Sequence, residues 1–181
     1  MLKRIALIFV LAAALVGIGS QNASAQELAG PHKISGSLGP SIGIIDASGT
    51  QFRLEFEYGY NIMPASWGNL YINLPLALGL GNNLLALLVK PGVEADFAPF
   101  SFPLYIYPRA GLSLGLMRVS FGQFSQSEFA IGMYFGGGAK YVLDGKWFFF
   151  FEPVTIEIYF KSFPNATVGA YNLMFGGGMI F

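Results

Sequence analysis

Ten charged residues of this 181-residue chain stand at spacings that could do chemistry. Arg53, Glu55 and Glu57 alternate with apolar neighbours in QFRLEFEYGYNI. Lys90, Glu94 and Asp96 share one parity in LLALLVKPGVEADFA. Arg109 and Lys140 stand among tyrosines and glycines, and Glu152 and Glu157 fall in WFFFFEPVTIEIYF. Side chains two residues apart share one face of a strand. If that face lines an interior, the groups can cancel one another in an ion-pair and hydrogen-bond network, because a charge taken out of water needs a partner. They can instead line a gated ion path or a proton relay. A hydrolytic site acting on lipid is the third possibility, and it needs a nucleophile and a general base. The chain has one histidine, His32, and no cysteine. That leaves no catalytic residue to nominate, no metal site and no cofactor.

The elements that must position these charges are strands. In 51–62 the even positions are Phe52, Leu54, Phe56, Tyr58, Tyr60 and Ile62, and the odd ones carry the three charges. Period two recurs in 84–98, 104–117 and 129–143. Glu152 and Glu157 differ in parity, so a bulge is expected at Pro153, which cannot donate to a ladder. Turn signals at Asp46–Thr50, Met63–Gly68, Gly81–Asn83, Pro99–Pro103, Gly122–Ser127, Asp144-Gly145 and Ser162–Ala166 separate eight strands, roughly 33–46, 51–62, 69–80, 84–97, 103–118, 128–143, 146–160 and 167–181. Residues 58–89 carry no charge and would be long enough for helical spans, but they contain Pro64, Pro75, Gly68, Gly79 and Gly81, which are poor helix material.

The chain begins MLKR, continues with an apolar run and reaches Ala23-Ser24-Ala25. This is the pattern of a secretory signal, read here as residues 1–25. A short periplasmic segment, 26–32, and a single domain, 33–181, would follow. Two of the ten basic residues go with the leader, leaving eight against ten acidic ones, so there is no basic footprint for nucleic acid. Hydrophobic residues make up 54% and charged ones 11%, too little polar surface for a domain exposed to water. Each expected strand is at least the ~9–11 residues a tilted strand needs to cross a bilayer. In lipid every backbone group needs an internal partner, so a sheet must close. The expectation is an all-β fold, an eight-stranded antiparallel up-and-down transmembrane β-barrel.

FGGG occurs at 135–138 and again at 175–178. On the strand reading Phe135 and Phe175 face out, while Gly136, Gly138, Gly176 and Gly178 face in and make room for bulky neighbours. Counting back in twos from the end gives Phe181, Met179, Gly177, Phe175, Leu173 and Tyr171, one outward apolar row. An exported chain whose last strand alternates in this way and ends on Phe resembles the bacterial outer-membrane proteins, and the architecture resembles the small OmpX/OmpA-type barrels. The resemblance implies that Phe181, Met179, Phe175 and Tyr171 are an assembly signal read by the barrel-assembly machinery, with periplasmic chaperones as partners during biogenesis. It also implies outer-membrane lipid and lipopolysaccharide as surroundings.

Trp67, Tyr71, Phe100, Phe102, Trp147, Phe148, Phe149 and Phe163 are expected in the aromatic girdles at the two interfaces. With the N-terminus periplasmic, the outer connections are 47–50, 81–83, 119–127 and 161–166, all short, which weakens an adhesin or phage-receptor reading. His32, read as exposed linker ahead of the first strand, then lies on the side away from outer-leaflet lipid, so a lipid-modifying enzyme lacks its base. The functional expectation is a structural or surface barrel with a lumen plugged by polar residues. The alternative is a narrow pore, or a lateral path for small or apolar molecules.

Overall fold

A computed structural model describes residues 30–45, 50–65, 67–82, 84–121, 124–163 and 166–181. The expected leader, 1–25, lies outside them. The elements are β1 (His32–Ile45), β2 (Thr50–Ala65), β3 (Gly68–Gly81), β4 (Leu84–Val89), β5 (Gly92–Phe97), β6 (Leu104–Phe121), β7 (Phe124–Leu143), β8 (Trp147–Phe163) and β9 (Ala166–Ile180). All pairings are antiparallel. β4 and β5 both lie between β3 and β6 in one continuous register, so nine strands make eight staves. Each stave pairs with its neighbours in sequence, and β1 also pairs with β9, which closes the ring.

Two prolines interrupt the ladder of that fourth stave. Lys90 N–H donates to the Pro75 carbonyl at 2.8 Å, and Pro75 has no N–H to return the bond. The Tyr134 hydroxyl donates to the Lys90 carbonyl instead, at 3.3 Å. Pro91 in turn accepts from Leu112 N–H at 2.9 Å and gives nothing back. The ladder thus lapses at 90–91 without a change of register.

Several strands outrun their expected ends. β2 continues to Ala65 through Pro64, and β6 and β7 pair as far as Phe121 with Phe124, absorbing most of the connection expected at 119–127. β8 and β9 likewise pair to Phe163 with Ala166. Alternating hydrophobicity marks only the part of a hairpin that crosses the apolar layer. Backbone pairing continues past it through polar pairs such as Arg118 with Ser127 and Ser120 with Ser125. His32 is the first residue of β1 rather than linker. The bulge expected at Pro153 is present: β8 shifts register against β9 between Glu152 and Thr155, and β7 shifts against it between Gly137 and Ala139. The Tyr171 hydroxyl donates to the Pro153 carbonyl inside it.

The end of the barrel where β1 begins and β9 finishes, called the near end below, also carries the turn from β7 to β8. Asp144 and Gly145 both have positive φ, 50° and 64°, and Lys146 N–H donates to the Leu143 carbonyl at 2.9 Å. Positive φ at both central residues is what a tight hairpin turn of this twist requires, and Asp-Gly supplies it at low steric cost.

The outer face is apolar: Phe52, Phe56, Leu76, Leu87, Leu116, Phe129, Phe135 and Phe175 are all exposed. Two expected girdle residues are instead inside. Tyr71 and Phe148 are buried, because Tyr71 shares parity with Asn69 and Asn73, and the run after Lys146 alternates Trp147 and Phe149 outward with Phe148 inward. Trp67 packs on Phe97 with ring centroids 5.1 Å apart, Phe100 stacks on Phe102, and the side chain of Phe163 lies outside the described set.

The inward glycines make room for rings. A side chain on Gly176 would run into the Phe150 ring and the Gly36 carbonyl, and one on Gly178 into the Ile34 carbonyl and the Phe148 ring. At Gly138 the obstacle is backbone, the Phe151 carbonyl and Glu152 Cα. Gly138→Val is therefore expected to cost about 1–3 kcal/mol in urea unfolding of the refolded protein. Gly36→Ala, on the outer face with nothing nearer than 3.7 Å to its new methyl group, is expected to leave the midpoint unchanged.

Candidate functional site: an ionic column in the lumen

The ten charges singled out from the sequence all point into the lumen and are all buried. β2 delivers Arg53, Glu55 and Glu57 from one face. The fourth stave delivers Lys90 from its break and Glu94 and Asp96 from β5. β6 supplies Arg109, β7 Lys140, and β8 supplies Glu152 and Glu157, which the Pro153 bulge brings to the same side. Lys33 of β1 is an eleventh member that the sequence pattern does not single out, because it stands at a strand end. Its parity with Ser35 and Ser37 is the signal that places it inside.

These side chains form one continuous series of contacts. From the near end, Lys140 Nζ lies 2.8 Å from Asp96 and 2.6 Å from Glu94. Glu94 is 2.5 Å from Lys33, and Lys33 is 3.0 Å from Glu57. Arg109 joins three carboxylates: Glu57 at 3.2 Å, Glu55 at 2.9 Å and Glu152 at 2.9 Å. Lys90 then links Glu55 at 2.7 Å to Glu157 at 2.8 Å, and Glu157 is 2.5 Å from Arg53. Five cations and six carboxylates thus run along the barrel with no like-charged neighbours in sequence of contact.

Neutral donors and rings complete the shell. Asn73 donates to Glu94 at 3.2 Å, Tyr107 to Glu152 at 3.2 Å, and Tyr159 to Glu157 at 2.6 Å; Thr155 also donates to Glu152. Lys33 Nζ sits 4.5 Å from the Tyr71 ring centroid and Lys90 Nζ 4.6 Å from that of Tyr134. The tyrosine faces therefore stabilise ammonium groups that are cut off from water. This explains why Tyr71 belongs in the lumen and not in a girdle.

Apolar clusters flank the column. Toward the far end, Ala77, Ala86, Leu88, Met117, Ala130 and Tyr159 pack together. At the near end Ala98, Tyr105, Val142, Phe148 and Ile180 do so, with Phe150 against them. On the β1–β2–β9 side of the far half the lining is polar instead. There Ser41 Oγ, Gln51 Oε1 and the Asn172 amide make no hydrogen bond among the described residues.

The row Phe181, Met179, Phe175 and Tyr171 lies on the outer surface of β9 and just beyond it, with Phe175 and Phe181 exposed. His32 is half-buried at the near end. Its Nδ1 is 2.7 Å from the Tyr58 hydroxyl, and its ring stacks on Phe181.

Removing one member of the column strands its partners. Arg109→Met leaves three carboxylates short of a cation and is expected to cost about 3–5 kcal/mol in urea unfolding. Arg118→Met, an exposed arginine bonded only to Ser125 among the described residues, is expected to shift stability by no more than about 0.5 kcal/mol.

The sequence matches no protein-family model and no curated protein. Solved structures do match. Neisserial surface protein A superposes with a TM-score of 0.66 at 15% identity, over 83% of this chain and 97% of that one. The N-terminal β-barrel domain of Pseudomonas aeruginosa OprF gives 0.58 at 13% identity, over 82% and 97%. Ail, the attachment invasion locus protein of Yersinia pestis, gives 0.56 at 15% identity, over 86% and 100%. With its ring of eight antiparallel staves and apolar exterior, the chain has the fold of the small outer-membrane β-barrels of the OmpX/OmpA type.

Proposed function

We propose that this protein is an integral outer-membrane barrel with a structural or surface role, whose own side chains close its lumen and which carries out no catalysis. The unbroken series of ion pairs from Asp96 to Arg53 is the observation that carries this reading. A conducting path needs charges that solvent and ions can reach, and weak, multiple sites along the way. Here every cation of the column is held against carboxylates, and apolar side chains pack beyond both its ends, with polar Ser41, Gln51 and Asn172 on one side of the far half. A free ion entering would have to displace a partner already at contact distance, at the cost of an unpaired buried charge.

The near end faces the periplasm on this reading. The tight Asp144–Lys146 turn supports that, because periplasmic turns of such barrels are short. Outer-membrane lipid and lipopolysaccharide then surround the apolar belt. The outward row ending at Phe181 serves the barrel-assembly machinery, after periplasmic chaperones have carried the chain. The only histidine supports the absence of catalysis, since His32 is engaged with Tyr58 and Phe181 at the near end, away from any nucleophile at the opposite rim.

Conductance of the refolded protein in a planar bilayer tests the reading. It predicts no discrete steps over a range of voltage and pH. Reproducible single-channel steps would overturn it and put the narrow-pore alternative in its place.

A further inference from the structure

The outer surface is not uniformly studded with side chains. Gly36 of β1 and Gly177 of β9 stand directly opposite each other on the outward face. Their partners on the next strands are Phe56 of β2 and Phe149 of β8. These are 67% and 62% exposed, the highest values among the large apolar side chains described. A floor without side chains therefore lies beside two aromatic rings, Phe56 3.7 Å from where a side chain on Gly36 would begin and Phe149 3.2 Å from that of Gly177. The open groove over this floor holds about 560 Å³ and is lined by Phe56, Ile34, Tyr58, Leu74, Trp147 and Met179, with Phe149 outside it.

In lipid, an apolar groove gains no affinity from hydrophobicity, since the surrounding tails are equally apolar. Selection has to come from shape and from polar groups at the mouth. The mouth is at the near end. Tyr58 on one wall is bonded to His32, which also faces the rings of Tyr60 and Phe181. Trp147 on the other wall carries Lys146, whose Nζ lies 5.9 Å from the Trp147 ring centroid. Such an aromatic belt marks the head-group level. The groove thus opens at that level and runs into the hydrocarbon over Gly36 and Gly177. Lys146 is exposed and belongs to none of the ion pairs among the described residues. Asp144 is the other exposed charge of the turn, so recognition of an anion there is a point contact at Lys146 rather than a broad field.

We infer that this groove binds one acyl chain of an anionic glycerophospholipid, with the lipid phosphate on Lys146. The site is on the outside of the barrel and is independent of whether the lumen conducts.

The chain has two tryptophans, so a Trp67→Phe background makes Trp147 the sole fluorescent reporter. The full protein is refolded into phosphatidylcholine vesicles containing a minor fraction of either brominated phosphatidylglycerol or brominated phosphatidylcholine. Bromines on the chain quench a tryptophan that they touch. Brominated phosphatidylglycerol is expected to quench Trp147 as though enriched about fivefold at the site, the effect of one lysine on an anionic lipid. Lys146→Gln should remove that difference, and Gly36→Leu, which fills the groove, should reduce quenching by both lipids. Equal quenching by the two lipids in the Trp67→Phe protein overturns the inference, as does quenching that Gly36→Leu leaves unchanged. Folding of each variant is read from its gel shift on heating. Lys146→Gln changes only an exposed turn residue and decides the head-group claim alone if Gly36→Leu does not fold.

Discussion

Everything in this molecule follows from the need to pair each backbone N–H and C=O within the protein. A sheet whose outer face carries a continuous apolar belt has no water there to satisfy an open edge, so β1 must meet β9. Eight staves enclose a space that side chains can fill. That narrowness decides the rest. Inward positions have to be glycine where a ring from the next strand leans over them, as Phe150 does over Gly176. Inward charges have no room for solvation shells and must satisfy one another.

The ladder and the column meet at the fourth stave. Pro75 and Pro91 remove two backbone donors next to Lys90, and the tyrosine that covers the freed Lys90 carbonyl, Tyr134, also offers its ring to the Lys90 ammonium. One side chain thus serves both a backbone defect and a buried charge. On the adjacent stave, Arg109 likewise satisfies several groups at once. Its planar, multi-donor head group reaches Glu55, Glu57 and Glu152, a role that a lysine's single point of charge fits less well. Strict alternation of sign matters more here than the number of pairs. A buried pair contributes little net stability against well-packed apolar residues, whereas a broken one is costly. The column is therefore better understood as a filling that ties together the registers of the six staves supplying its charges than as a source of surplus stability.

Much of this is legible in the sequence because a strand has a period of two. The alternation in 51–62 assigns Arg53, Glu55 and Glu57 to the lumen without any structure, and Pro153 between Glu152 and Glu157 announces the bulge that reconciles their parities. The same parity carried to the strand ends adds Lys33 and keeps Tyr71 and Phe148 inside. Aromatic type suggests a girdle for both rings, but the face on which a residue falls outweighs its type. The pairings themselves are not legible. Arg53 meets Glu157 across 104 positions of sequence, and only the register, set by bulges and closure, brings them together. Strand ends escape the pattern for a related reason, since hydrophobic alternation stops where the apolar layer stops while the β6–β7 hairpin pairs on.

The most direct test of the column as a mutually dependent unit is a double-mutant cycle on Lys33 and Glu94. These residues sit on different staves and lie 2.5 Å apart. Lys33→Met, Glu94→Gln and the double variant would be unfolded in urea from the refolded state. The account predicts a favourable coupling of about 1–3 kcal/mol between the two sites. Additive effects, with coupling near zero, would mean that the lumen charges do not depend on one another and would contradict it.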